Sequence, residues 1–240
     1  MSKIKNVDLI KVPKTEAEAS NETEVNSLES FIKTEQYIRR NRLIVGIIAG
    51  LVVVIIAGYF IYNYLQSSQE REAQEQMFAA EYWWKAEDYK KSIEGNGNYL
   101  GFEAIIKNYP LSKAANMAYF YSGVAHLKQK KYKEAIDRLR KFAGNDWLVQ
   151  ARAYSLIGDA YMELNQFEEA ITNYNRAIDY KANKQFTPIY VMKLGLAYEK
   201  AKKNQEALKV YEKVVREYPN TNEYYNAKKY QARLETMLEK

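Results

Sequence analysis

Cysteine is absent and histidine occurs once in the 240 residues. Disulfide frameworks, thiolate zinc sites, iron–sulfur centres, cysteine nucleophiles and His-rich metal centres are thereby excluded, and no cofactor or catalytic residue is expected. Ten glycines and four prolines are too few for a chain built on many tight turns. What is abundant is tyrosine, 22 residues, within an ordinary balance of 47% hydrophobic and 28% charged residues. Long packed helices would use such an excess, so the composition points away from enzyme chemistry and toward packing and binding.

The hydrophobic residues are not evenly spread. Leu43 to Leu65 reads LIVGIIAGLVVVIIAGYFIYNYL without a charge. At about 1.5 Å per residue this stretch extends about 34 Å, enough to cross a hydrocarbon core of about 30 Å with some tilt. A single transmembrane helix over 43–65 is expected. A cleaved signal peptide fits worse, because a long polar segment comes first and Tyr59, Phe60, Tyr62 and Tyr64 close the run. Lys33, Arg39, Arg40 and Arg42 stand before the span, and Arg71 follows it. The positive-inside rule puts the N-terminus in the cytoplasm and the remainder outside. Gly46 and Gly50 make a small-x-x-x-small spacing that admits a close helix partner in lipid, a second copy in a homodimer among them.

Residues 1–26 mix Lys, Glu, Ser, Thr and Asn without helical period, which predicts a disordered cytoplasmic tail. Over 27–42, Leu28, Phe31 and Ile32 follow Ser27 at helical spacing, predicting a short amphipathic helix at the membrane surface or against a partner. From Gln66 to Ile93 there is neither Pro nor Gly, so a long helix is expected to continue from the span. The net charge of +6 is dispersed, with Lys130 and Lys131 near Glu134 and Lys202 and Lys203 near Glu206, as on solvated helix faces. Nucleic acid is not an expected partner.

The second half repeats itself. Gly123, Gly158 and Gly195 are each followed at the same distance by Ala135, Ala170 and Ala207, with His126, Tyr161 and Tyr198 between them and Leu139, Tyr174 and Tyr211 after the alanines. A small residue on each of two antiparallel helices lets them approach closely, and the large residues fill the wedge. In this register His126 is a packing residue. Trp83 and Trp84 diverge by about 100° on a helix, so one of them faces the core. Gly95, Gly97 and Gly101 lack the Lys-Ser/Thr of a phosphate cradle and form a loop.

This pattern resembles the tetratricopeptide repeat, whose helix–turn–helix units stack into a solenoid. The resemblance is strong over 116–221, and LIGDAYMELNQFEEAITNYNRAI is its best copy. Joined to the span read above, it implies an all-α protein: a single N-terminal transmembrane helix, then a repeat domain over 66–222 with about four helical pairs, then a capping helix over 223–240. Counting back from Pro110 aligns Tyr82, Ala86, Tyr89, Phe102 and Ile105 with a degenerate first copy, in which Asn98 stands where alanine is expected. The first helix of each repeat points one stripe into the groove: Met117, Phe120, Val124 and Leu127, then Arg152, Ser155, Asp159 and Met162, then Ile189, Met192, Leu196 and Glu199. The first set is apolar and suits apolar polypeptide segments; covered by the first pair, it would instead be core. The Lys, Asn and Arg of a carboxylate clamp are missing from these positions.

The order of tail, span and repeats resembles the bacterial inner-membrane YfgM-like proteins, ancillary subunits of the Sec translocon. That resemblance implies a periplasmic repeat domain that binds proteins or peptides beside Sec translocon subunits and hands emerging polypeptides to periplasmic chaperones. A scaffold for outer-membrane assembly or cell division is the alternative, and a eukaryotic organelle receptor with reversed topology is a third reading.

Overall fold

The computed structural model describes residue 35, residue 37 and residues 39–239. The expected tail over 1–26 lies outside these, as does most of the expected helix over 27–42. The chain divides into two compact units, residues 1–62 and 63–240. Helix α1 (Arg42–Lys85) contributes to both. Within 43–62 no residue is buried. An 18-residue window of α1 reaches a mean hydropathy of 2.9 with no share of it buried, so length and composition suffice to cross a membrane. Around Gly46 and Gly50 no atom beyond the local helix backbone lies within 4 Å of where a Cβ would stand, so the face they share is open.

Helix α1 stops at Lys85 and does not reach Ile93 as its lack of Pro and Gly predicted. Glu87 turns the chain with φ 59°, and the Asp88 carboxylate accepts the Lys91 N–H at 3.2 Å to start α2 (Tyr89–Glu94). The same left-handed turn recurs at Lys130 (φ 61°), Asn165 (57°) and Lys202 (61°), each seven residues after Gly123, Gly158 or Gly195. Seven residues before Glu87 stands Ala80, fully buried, and five after it stands Ser92, fully buried where the other repeats have alanine. The first pair is therefore in register with Ala80 and Ser92, and Asn98 is not the alanine position. Counting back from Pro110 failed because the loop Gly95–Gly101 interrupts the second helix. There Gly95 and Gly97 take φ 82° and 91°, Gly95 bridges to Leu100, and the helix resumes as α3 (Phe102–Asn108).

The remaining elements alternate: α4 (Lys113–Lys128) with α5 (Tyr132–Lys141), α6 (Val149–Glu163) with α7 (Phe167–Asp179), α8 (Thr187–Lys200) with α9 (Asn204–Glu217), and finally α10 (Asn222–Leu238). Each helix packs on the next, and no strand occurs among the described residues, so the fold is all-α as expected. A Cβ at Gly158 would lie 2.6 Å from the Tyr174 ring, one at Gly195 2.4 Å from Tyr211, and one at Gly123 2.6 Å from Leu139. Ala135, Ala170 and Ala207 are all fully buried. Tyr174 and Tyr211 are 2% and 0% exposed, and burying a ring of this size contributes up to about 4 kcal/mol. One apolar cluster runs from Phe120 to Leu234. A second joins Ala73, Met77 and Ala80 to Phe102, Ile105 and Ala118, and Trp84, Met117 and Tyr121 pack against both.

The two ends differ. Helix α10 buries Ala227 and Leu234 and exposes Lys228, Lys229, Arg233 and Glu235, a mostly polar outer side of the kind a solenoid end requires, with Tyr225 exposed as well. At the other end α1 reaches across to the start of α4. The Gln69 amide oxygen accepts the Leu111 N–H at 3.0 Å, and the Glu70 carboxylate accepts the N–H groups of Lys113 and Ala114. Glu70 thus caps α4 from another helix and places a negative charge at its positive end.

Candidate protein-binding groove

The twelve residues expected along the groove divide into four kinds. Phe120 and Val124 are 8% exposed and belong to the apolar core, with Phe120 against Phe142 at 5.4 Å; Ser155 is 2% exposed. These three are core residues: Phe142, just after α5, covers Phe120, and Lys193 of α8 reaches Ser155. Arg152 is exposed. Glu199 is taken up internally: the Tyr211 hydroxyl donates to it at 2.7 Å, and Arg233 of α10 pairs with it. The remaining seven line hollows on the surface. Met117 borders a concavity of about 320 Å³ together with Met77 and Phe78 of α1. Leu127, Asp159, Met162 and Leu196 border one of about 600 Å³. Ile189, Met192 and again Leu196 border one of about 300 Å³.

The apolar, accessible part of this surface is consequently shifted toward the C-terminal repeats. Leu196 is 48% exposed and Ile189 37%, unusual values for such side chains on packed helices. Their neighbours are polar groups that satisfy one another. Lys193 on α8 holds Asp159 on α6 at 2.7 Å and also reaches the Ser155 hydroxyl at 3.2 Å. The Tyr174 hydroxyl donates to the same carboxylate at 2.7 Å. Burial, and then the Asp159 charge, push the Tyr174 phenol above its ordinary range, so it remains a donor at all physiological pH values. Burial and the bond to Glu199 do the same for Tyr211. Nearby, Glu163 accepts the Tyr132 hydroxyl at 3.1 Å.

Two functional groups escaped the sequence reading. Lys193 did so because it does not lie on the stripe counted from the glycines. Its signal was available one repeat away, since Lys193 follows Asp159 by 34 residues and Arg233 follows Glu199 by the same number. Glu103 on α3 was the other. It accepts from Ser122 at 2.7 Å and pairs with Arg138 at 2.8 Å, and His126 Nε2 stands 3.7 Å away. Burial raises this carboxyl, but the nearby His126 ring and the hydrogen bonds from Arg138 and Ser122 outweigh it and hold the pKa at about 2. His126 is itself 8% exposed in the core. Of the two tryptophans, Trp84 packs inward against Tyr121 at 5.2 Å, and Trp83 sits beside Tyr99. No group of three or more His, Asp or Glu side chains placed to hold a metal ion occurs among the described residues.

Comparison with known proteins follows the same lines. The tetratricopeptide repeat family model matches residues 102–148 and 155–221. No curated protein sequence matches the chain. Among solved structures, the MamA protein is similar with a TM-score of 0.52 and 20% identity, over 70% of this chain and 88% of that one. The nearly identical TPR-like repeats of kinesin-light-chain type from Podosopora anserina are similar with a TM-score of 0.53 and 14% identity, over 68% and 84%. At these identities the likeness concerns the fold.

Proposed function

We propose that this chain, a tetratricopeptide-repeat protein over residues 102–148 and 155–221, is a membrane-anchored protein-binding adaptor of the bacterial envelope. Tetratricopeptide repeats are protein-interaction scaffolds and not enzymes in general, and the helical stack here supplies such a surface. In this reading residues 43–65 cross the inner membrane, the N-terminus is cytoplasmic, and the repeats work in the periplasm beside the Sec translocon, passing emerging polypeptides to chaperones. The observation that carries it is the uncovered apolar stretch of α1, none of it buried, which water would not tolerate on a free helix of this length. The four cations before the stretch support the orientation. A fixed scaffold is the second reading, favoured by the burial of Phe120 and Val124, which removes part of the apolar surface that client handling would use.

Topology is tested first. A reporter active only outside the cytoplasm, fused after Lys240, should be active, and protease added to spheroplasts should digest the repeats; protection of the repeats rejects the orientation. Photo-crosslinking from the groove in intact cells then separates the two readings. Many unfolded chains plus translocon subunits support handover, whereas one folded partner supports the scaffold.

A further inference from the structure

We infer that the groove between α6, α8 and α10 takes an uncharged polypeptide segment anchored by apolar side chains, and that it does not read a terminal carboxylate or an acidic motif. This rests on the protein-binding reading above and names the ligand chemistry of that site.

The two C-terminal hollows share Lys193 and Leu196 and are continuous through them. Taken together, with Lys193 counted once, their charged side chains are Asp159, Glu163 and Glu223 against Lys193 and Lys200, a slight acidic excess that does not favour an anionic ligand. Recognition of an anionic peptide end needs free cations, and the central one is already engaged. Lys193 is bonded to both Asp159 oxygens, at 2.9 and 2.7 Å, and its ammonium also touches Ser155. To hold a ligand carboxylate it would have to leave Asp159 with the Tyr174 hydroxyl as its remaining partner, which costs a half-buried ion pair for a new one of equal kind. An acidic peptide therefore gains nothing from Lys193, and the other cation of the hollow, Lys200, is exposed at its rim, where an ion pair is worth little. The surface still offered is the exposed part of Leu196 and Ile189, with Met162 and Met192 between them, and Met adapts to side chains of varied shape. A segment whose own charges are few leaves this internally paired network intact and covers the apolar floor.

The consequence is binding that ignores salt, because apolar contact is not screened and no ion pair forms across the interface. The test uses the full chain in nanodiscs of uncharged phosphatidylcholine and two fluorescein-labelled peptides of equal length. One has Leu and Phe anchors on an Asn, Gln, Ser background with an amidated end; the other has Glu and Asp, a free carboxylate and no apolar anchor. By anisotropy the apolar peptide should bind, with Kd unchanged within about twofold when salt rises from about 50 to about 500 mM. Ile189→Ser with Leu196→Ser, both surface positions, should weaken it roughly tenfold at unchanged helicity. Binding of the acidic peptide alone, or an affinity for the apolar peptide that falls steeply with salt, overturns the inference while leaving the protein-binding reading standing. If neither peptide binds and groove crosslinking in cells yields no protein, both fall together.

Discussion

Replacing Gly158 by leucine should unfold far more than one repeat. The position admits no side chain: a Cβ there would meet Cε1, Cδ1 and Cζ of Tyr174 at 2.6, 2.8 and 3.0 Å. The ring has little room to yield, since Tyr174 is 2% exposed and its hydroxyl is bonded to Asp159, which Lys193 holds in turn. Overpacking of a tight contact costs about 1–3 kcal/mol. If the ring swings away to make room, the bond to the carboxylate is lost as well, at about 1.5–3 kcal/mol. The sum, about 2.5–6 kcal/mol, is a large part of the roughly 5–15 kcal/mol by which a domain is stable. Repeats owe most of their stability to neighbours, so the damage spreads to α8 and α9 once Asp159, which Lys193 of α8 also holds, loses its bond from Tyr174. In the fragment 63–240, followed by circular dichroism, the melting temperature should fall by roughly 10 °C at about 2–4 °C per kcal/mol. Gly158→Ala should fall between the two. A Gly158→Leu fragment that melts within about 2 °C of wild type would refute the close-contact register, because nothing else in the argument leaves space for the added carbons.

Other perturbations test separate parts of the structure. The Glu103 carboxyl lies at about 2 against an ordinary 4.5, so its contribution to stability is present above pH 4.5 and is lost as pH falls through 2. Glu103→Gln should therefore be about 2 kcal/mol less stable at neutral pH, a figure reduced for the partial exposure of the side chain, and the gap should close in urea titrations as pH drops from 4.5 toward 2; a constant gap would contradict the assignment. Lys202→Gly should raise stability by up to about 1 kcal/mol, because φ 61° burdens lysine and not glycine, and a loss measured by chemical denaturation would show that the lysine side chain matters more than its backbone. Gly46→Ile with Gly50→Ile should release any membrane partner while the protein still inserts, and unchanged copurification would make that spacing incidental.

How much of this was legible beforehand depended on which atoms carried the message. The repeat register came through because Gly158 and Tyr174, or Gly195 and Tyr211, are paired by steric necessity, and steric necessity restricts residue type strongly enough to leave a pattern. The first pair was misread because Glu87 takes its left-handed turn with a residue that gives no hint of it, and because Gly95–Gly101 inserts extra chain where counting assumes none. The groove was half legible. Side-chain direction along a helix follows from spacing, but whether Phe120 is floor or core depends on how closely Phe142 and its neighbours approach, and that distance is written in no single segment. Opposite charges one repeat apart, as in Asp159 with Lys193 and Glu199 with Arg233, were the neglected signal. In a stacked array such residues become neighbours as surely as residues four apart do in one helix.

The cap that Gln69 and Glu70 provide for α4 also orders events in time. On the ribosome α1 is complete long before Leu111, Lys113 and Ala114 are made, and its side-chain acceptors then stand ready as a template for the first turn of α4. Once α4 is seated, Glu103 can be gripped by Ser122 and later by Arg138, and each following helix meets a finished edge. Assembly can thus run in the direction of synthesis, each new helix bonding to acceptors that are already made.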